Sequence, residues 1–210
     1  MTQETRKLIG RGLFAGAMIG VGCMVYLACE NKMLGAFLFS AGLFFVLTYG
    51  GVLFTGVCGL KTPWKRLAAV FGLNFAGIFA VSLLVWPGTL PASAAAVVVK
   101  KLGMNPLSWL CNGMLCGAMM YLGVTGFKQA RDGVTGLASV LYAVPVFILA
   151  YFEHSIADMG YLAIALPCLS AAQALQMAGV ILVVAAGNVA GSKLVRVLTT
   201  MGENTQNHQK

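Results

Sequence analysis

The sequence contains few charged side chains for its length. Only 10% of its 210 residues are Asp, Glu, Lys or Arg, and only six of these are acidic, whereas about 25% is usual for soluble domains. In addition, 59% of the residues are hydrophobic. A soluble domain of this size could not bury so much apolar surface. These proportions exclude an ordinary soluble enzyme, a disordered chain, a collagen-like fibre and a secreted disulfide scaffold, and they predict an all-α integral membrane protein.

Residues that carry enzymatic chemistry are equally scarce. The only histidines are His154 and His208, and the sequence has no His-x-x-His arrangement, no phosphate-binding loop and no Cys, His and Asp set at catalytic spacing. The six cysteines lie within or beside apolar stretches, where cysteine behaves as a small hydrophobic residue. We therefore expect no enzyme activity, no metal site and no cofactor.

Six long stretches of the chain carry no charge. About 20 apolar residues cross the hydrocarbon core of a bilayer as a helix, so the stretches predict six transmembrane helices in a single domain. The predicted spans are residues 9–29, 34–55, 66–86, 106–127, 134–154 and 176–198, followed by a disordered tail over residues 199–210.

The basic residues are unevenly distributed between the predicted loops. Eleven of the 14 lie on one side of the membrane if both termini are on that side, and Lys32, Lys100 and Lys101 lie on the other. Cytoplasmic loops carry the excess of Lys and Arg, so the sequence predicts that both termini are cytoplasmic. Because this topology explains the net charge of +8, we expect lipid contacts and no nucleic-acid partner.

The chain divides into two similar halves. Residues 14–22 are echoed by residues 115–123, at an offset of 101, and Gly/Asn/Gly clusters occur in the third and sixth predicted spans, at 72–77 and 187–191. With three spans in each half, the second half enters the membrane from the opposite side. The sequence thus predicts an inverted 3+3 repeat.

Spans two and five are each interrupted near one end. Residues 50–59 include four glycines, and the fifth span meets Glu153, His154 and Asp158. Thr55 and His154 are 99 residues apart, close to the repeat offset. Matching interruptions in two halves of a transporter indicate broken helices and a substrate path near the bilayer midplane.

His154 is the leading candidate for function. Ionisable groups at membrane depth are costly unless they are paired or face a watery cavity, so their presence suggests a functional site. The alternative is that Glu153 and His154 mark the outer end of the span and lie in interfacial water. For most of the remaining glycines, such as Gly113 and Gly117, we expect helix packing.

Four segments together resemble the signatures of the formate/nitrite transporter family. They are Phe-Ser-Ala-Gly-Leu at 39–43, Leu-Phe-Thr-Gly at 53–56, Phe-Glu-His-Ser-Ile-Ala at 152–157 and Gly-Asn-Val-Ala-Gly at 187–191. The segments occur in the order of the family, and the resemblance covers about residues 9–198. The segment at 152–157 is the most specific of the four.

The resemblance implies a homopentamer of aquaporin-like six-helix protomers, each with its own pore, in the inner membrane of a bacterium. It implies that a threonine on the break of the second helix, Thr55, faces a histidine on the break of the fifth, His154. It further assigns Phe39 and Leu43 to a cytoplasmic constriction, Leu53 and Phe147 to a periplasmic one, Asn112 and Asn188 to the pore lining, and Lys100 or Lys101 to the outer vestibule.

Two residues depart from the family pattern. The family usually has asparagine four residues after the histidine, where this chain has Asp158, and many members have asparagine where this chain has Val57. An ionised aspartate beside the path would repel anions, whereas a protonated or paired one would not. The departure therefore bears on which substrate is carried.

The physics of such a path favours weak acids. A bare anion in an apolar constriction loses its hydration at a cost of many kcal/mol, whereas its neutral conjugate acid loses far less. We expect a channel or transporter for a small monovalent weak-acid anion, with formate or nitrite first and hydrosulfide or a short carboxylate next. The alternatives are a neutral-solute pore, for which Asn-Pro-Leu at 105–107 is a single loop match, and a non-transporting membrane anchor subunit.

Overall fold

All regular secondary structure in the described residues is helical. The computed structural model describes the backbone of residues 1–206 and the side chains of residues 1–201. The helices are α1 (Gln3–Ala28), α2 (Lys32–Thr48), α3 (Phe54–Val57), α4 (Trp64–Ser82), α5 (Leu90–Leu102), α6 (Pro106–Gln129), α7 (Gly133–Leu149), α8 (Ser155–Ala165) and α9 (Ala171–Gln206), with 3₁₀ turns at Leu83–Val85 and Leu166–Cys168.

The last helix is longer than the sequence predicts. We expect disorder over residues 199–210, but α9 continues through residue 206. No proline follows Leu198 to remove a backbone donor, so the helical hydrogen bonds continue past the last apolar residues. Residues 207–210, with His208 and Lys210, lie outside the described residues.

Side-chain caps define where several helices begin. Thr2 Oγ1 accepts from Thr5 N at the start of α1, and Asn31 Oδ1 accepts from Met33 N at 3.0 Å at the start of α2. Asn105 Oδ1 accepts from Leu107 N at 2.8 Å, with Pro106 in the first helical position of α6, where its missing N–H is not needed. The Asn-Pro-Leu segment is therefore a helix cap, which explains its sequence without a pore motif.

In the part of the chain that the structure describes, four helices are long and apolar enough to cross a membrane. They are Gln3–Ala28, Trp64–Val85, Pro106–Gln129 and Ala171–Met201. The apolar helices α2 and α7 are shorter, with 17 residues each, and each is followed by a non-helical segment and a further short helix. The chain is a multi-pass membrane protein.

Two closely packed helix pairs organise the protein, α1 with α4 and α6 with α9. A Cβ on Gly16 of α1 would collide with the carbonyl of Asn74 on α4, and a Cβ on Gly117 of α6 would collide with the carbonyl of Asn188 on α9. Gly191 of α9 likewise lies against the carbonyl of Met114. Small residues let the backbones approach this closely, so these glycines have the packing role that we expected.

Replacing Gly191 by alanine should lower stability, because the new methyl group would overlap a backbone carbonyl that cannot rotate away. Overpacking of this kind costs about 1–3 kcal/mol. We expect the purified variant to have a lower melting temperature than the wild type. The measurement is the fraction of protein that still elutes as the oligomer on size-exclusion chromatography after heating. Gly179→Ala is the matched control on the same helix, since no atom lies within 4 Å of its Cβ position. If both variants have the same melting temperature, the close approach at Gly191 does not contribute to stability.

Candidate functional site

The chain leaves the helical conformation at two equivalent places, after α2 and after α7. Gly50 and Tyr151 both have positive φ, at 67° and 58°. They are 101 residues apart. Gly51 N donates to Val46 O at 2.7 Å, and Phe152 N donates to Phe147 O at 2.9 Å. Both helices thus end in the same left-handed turn, and the glycine that signals the first turn is replaced by Tyr151 in the second.

Asn74 of α4 holds the first break in place. Its Oδ1 accepts from Phe54 N at 2.8 Å, and its Nδ2 donates to Gly12 O and Val52 O, both at 2.9 Å. We call these contacts the first asparagine clamp. Val52 N also donates to Arg11 O at 3.0 Å. The clamp satisfies backbone groups that a broken helix would otherwise leave unpaired in an apolar environment.

Asn188 of α9 makes the same set of contacts at the second break. Its Oδ1 accepts from Ser155 N at 3.0 Å, and its Nδ2 donates to Gly113 O and Glu153 O, both at 2.8 Å. We call these contacts the second asparagine clamp. Glu153 N donates to Asn112 O at 3.2 Å. Every backbone partner is displaced by 101 residues from its counterpart in the first clamp.

This offset corrects the pairing of Thr55 with His154 as repeat positions. The residue that corresponds to His154 is Leu53, since both precede the first residue of the short helix. Thr55 lies two residues further along the chain and approaches His154 across the protein. The two breaks are therefore alike in backbone and different in side-chain chemistry.

The structure brings Thr55 and His154 into contact. Thr55 Oγ1 lies 2.9 Å from His154 Nε2, and His154 Nδ1 accepts from Ala157 N at 3.0 Å, which makes His154 the N-terminal cap of α8. A backbone N–H can only donate, so Nδ1 carries no proton and the neutral ring carries its proton on Nε2. From this network we assign Nε2–H as donor to Thr55, which leaves the threonine hydroxyl proton available to a substrate.

Aromatic rings cover the histidine. The ring of Phe147 stacks on that of His154 with centroids 5.3 Å apart, and Phe39 meets Phe147 edge-on at 6.3 Å. Phe39, Phe147, Leu43 and Leu53 are each at most 3% exposed. The four residues assigned to constrictions thus belong to one apolar core around the Thr55–His154 pair.

A cavity of about 370 Å³ opens beside His154. Its wall includes His154, Phe147, Glu153, Asp158, Lys100 and Lys101. Thr55, Phe39, Leu43, Leu53, Asn112 and Asn188 are not part of that wall. Asn188 is fully buried, and both hydrogens and the oxygen of its amide are used by the second asparagine clamp, so its position gives it a scaffolding role.

Lys101 lies between two carboxylates. Its Nζ forms ion pairs with Glu153 Oε2 and, at 2.9 Å, with Asp158 Oδ1. The exposed fractions of the three side chains are 14% for Lys101, 4% for Glu153 and 1% for Asp158. Lys100 is exposed, with its Nζ 4.6 Å from the centre of the Tyr151 ring. The two candidate vestibule lysines therefore differ, because only Lys101 is held inside by acidic partners.

Several residues at the site were not predicted from the sequence. Tyr26 and Tyr161 line the cavity with ring centroids 6.3 Å apart, and Cys23 Sγ donates to Ala157 O at 3.5 Å. Nothing in the sequence distinguishes them from ordinary core residues. Asn74 could have been identified from the sequence, because it lies in the Gly/Asn/Gly cluster at 72–77 that matches the cluster around Asn188. Among the described residues, no group of three or more His, Cys, Asp and Glu side chains could hold a metal ion.

Comparison with known proteins identifies one family and two solved structures that are similar to this chain. The family model described as "Formate/nitrite transporter" matches residues 1–201. A solved structure described as "Pentameric formate channel with formate bound" has 20% sequence identity and a TM-score of 0.83, covering 98% of this chain and 100% of the other. Another solved structure, described as "FNT family ion channel", has 19% sequence identity and a TM-score of 0.84, covering 95% of this chain and 90% of the other. No curated protein matches the sequence. At these identities the solved structures establish the fold.

Proposed function

The chain belongs to the formate/nitrite transporter family, and on this premise we propose that it carries a small monovalent weak-acid anion across a membrane, with formate or nitrite the first substrates. Transport takes place through a path within each protomer. Formate is the molecule named in the description of one similar pentameric channel. We infer a homopentamer for the same reason.

We propose six membrane spans in an inverted 3+3 arrangement. The four long helices supply four of them, and α2 with α3 and α7 with α8 supply the two broken ones. The matching asparagine clamps, offset by 101 residues, support this arrangement. The excess of Lys and Arg on one side supports cytoplasmic termini. The proposed location is the inner membrane of a bacterium.

The observation that carries the proposal is the Thr55–His154 pair. It provides two hydrogen-bonding groups, 2.9 Å apart and each at most 3% exposed, in a core of aromatic and aliphatic side chains. A buried polar pair of this kind can bind a solute that has left bulk water. Because His154 Nε2–H donates to Thr55, the threonine hydroxyl can donate to an oxygen of the passing substrate.

The apolar residues around the pair set the selectivity. Phe39, Leu43, Leu53 and Phe147 form the apolar constriction beside the pair that the substrate crosses, with Phe147 stacked on His154 and Phe39 against Phe147. A charged solute pays a large desolvation cost there, and a neutral acid pays little. Weak acids should therefore pass, and anions of strong acids such as chloride should be excluded. Asn112 remains a candidate for the pore lining.

Flux in proteoliposomes tests the proposal. We expect uptake of labelled formate above that of empty liposomes, increasing as the outer pH falls, because acid increases the neutral fraction that crosses the constrictions. Nitrite, hydrosulfide and lactate measured in the same preparation rank the substrates.

Two results would contradict the proposal. If formate, nitrite and hydrosulfide all match empty liposomes while water or glycerol causes rapid swelling, the protein is a neutral-solute pore. If nothing crosses and the protein purifies only with a partner, it is a membrane anchor.

A further inference from the structure

The ion cluster of Lys101, Glu153 and Asp158 has an uneven number of charges. One ammonium faces two carboxylates, so the fully ionised cluster has a net charge of −1. We call these three residues the Lys101 triad. Its members are held by three parts of the chain: the C-terminal turn of α5, the segment before α8, and the first turn of α8. The triad lines the same cavity as His154.

A net negative charge is costly at this position. The two carboxylates are at most 4% exposed, so water screens them little, and an uncompensated buried charge costs several kcal/mol. Of the two carboxylates, Asp158 is the less well stabilised in its ionised form. Its Oδ1 pairs with Lys101, but its Oδ2 is buried and has no hydrogen-bond partner among the described residues. A proton on this carboxyl group would remove the excess charge.

Other titratable groups near Asp158 supply no second cation. Lys100 lies against the ring of Tyr151, and His154 is neutral because its Nδ1 accepts from Ala157 N. The remaining groups are neutral in their usual protonated forms. They are Cys23 and Tyr26 on α1, Cys116 on α6, Tyr151 between α7 and α8, and Tyr161 on α8.

We propose that Asp158 is protonated at neutral pH and donates this proton to the anion in the cavity. The inference rests on the proposed function. The substrate anion takes the carboxyl hydrogen of Asp158 and becomes the neutral acid, while Asp158 becomes a carboxylate paired with Lys101. The charge of triad plus substrate is −1 before and after the step. The neutral acid carries that proton away, and a second proton from the outer solution then reaches Asp158 through water.

In this step the proton comes from Asp158 and not from His154. Protonation of His154 at Nδ1 would break its bond to Ala157 N and remove the cap of α8. With Asp158 as donor, His154 stays neutral and keeps both of its hydrogen bonds. The neutral acid formed at the triad then moves on to Thr55 and the apolar constrictions. The step favours basic anions, so among weak acids hydrosulfide should accept the proton more readily than formate or nitrite.

The protonation state can be read by infrared spectroscopy on the intact reconstituted protein. The sequence contains only two aspartates, Asp132 and Asp158. Asp132 lies outside the membrane-spanning segments, and hydrogen bonds from Thr135 lower the pKa of its carboxyl group, so it is ionised at pH 7. A carboxylic-acid C=O band that shifts when aspartate carries ¹³C in the side-chain carboxyl group must therefore come from Asp158.

We expect such a band at pH 7, and we expect it to disappear in Asp158→Asn. It should also disappear in Glu153→Gln, because one remaining carboxylate paired with Lys101 has no excess charge to neutralise. Glu30→Gln, at an exposed position between α1 and α2, is the control that should leave the band unchanged. The absence of a label-sensitive band in the wild type at pH 7 would overturn the proposal whatever the transport result.

Flux of formate measures the donation itself. In Asp158→Asn the increase of influx with acid, after subtraction of empty liposomes, should fall by about 100-fold, the size of a typical general-acid contribution. An unchanged pH dependence in this variant would overturn the donation step. If the labelled band is present but no weak acid is carried by the wild type, the donation step and the proposed function fail together, while the protonated Asp158 stands.

Discussion

Proteoliposomes containing His154→Phe are expected to lose formate flux while the purified protein keeps its oligomeric size. The substitution removes Nε2, which lies 2.9 Å from Thr55 Oγ1, and with it the donor that orients the threonine. Leaving a buried hydroxyl without its partner costs about 1–3 kcal/mol, so we expect a reduction of about 5- to 150-fold. The measurement is uptake of labelled formate at several pH values.

A matched variant separates this effect from a loss of stability. His154→Phe also removes the cap of α8, which contributes about 1 kcal/mol. Asparagine is a good N-terminal cap, so His154→Asn keeps an acceptor for Ala157 N but does not reach Thr55. We expect His154→Asn to melt close to the wild type and to carry as little formate as His154→Phe. Wild-type flux in either variant would remove His154 from the path.

Replacing Asn188 by alanine is expected to prevent recovery of a folded protein. The substitution leaves Ser155 N–H, Gly113 C=O and Glu153 C=O buried without the partners that they have in the second asparagine clamp. Gly113 C=O keeps its helical bond within α6, and each of the other two groups costs about 1–3 kcal/mol, so the free energy of unfolding should fall by roughly 2–6 kcal/mol. Many proteins are stable by only about 5–15 kcal/mol in total. The measurement is the yield of oligomer on size-exclusion chromatography.

Asn112→Ala provides the contrast for Asn188. Asn112 contributes its backbone carbonyl to the second break, and its side chain is partly exposed. The variant should therefore fold and elute as the wild type does, and any change in its formate flux would report a direct contact with substrate. Equal yields of the Asn112 and Asn188 variants would show that the clamp adds little to stability.

Much of the architecture could be predicted from the sequence because it depends on composition and spacing. The scarcity of charge predicts a membrane protein, and the offset of 101 between residues 14–22 and 115–123 is the offset that relates the two clamps. The Glu, His and Asp residues within 153–158 could be identified as a candidate site because ionisable groups are rare in apolar stretches. The resemblance to the transporter family is confirmed over residues 1–201.

The details that the sequence could not provide depend on which way a side chain points. Lys100 and Lys101 are adjacent at the end of α5, and the rotation of about 100° between them follows from 3.6 residues per turn. Only the structure distinguishes the exposed lysine from the one held by Glu153 and Asp158. For Asn188, likewise, the sequence motif indicates the position of the residue. Only the structure shows which backbone groups form hydrogen bonds with its amide.

The two clamps also constrain how the protein is made. The first clamp joins residues 12 to 74, and the second joins residues 113 to 188. Neither clamp needs a residue from the other half. During synthesis the polar backbone of each break stays open until the second long helix of its own half, α4 or α9, enters the bilayer beside it. The first half can therefore complete its own clamp in the bilayer before the translocon receives the histidine.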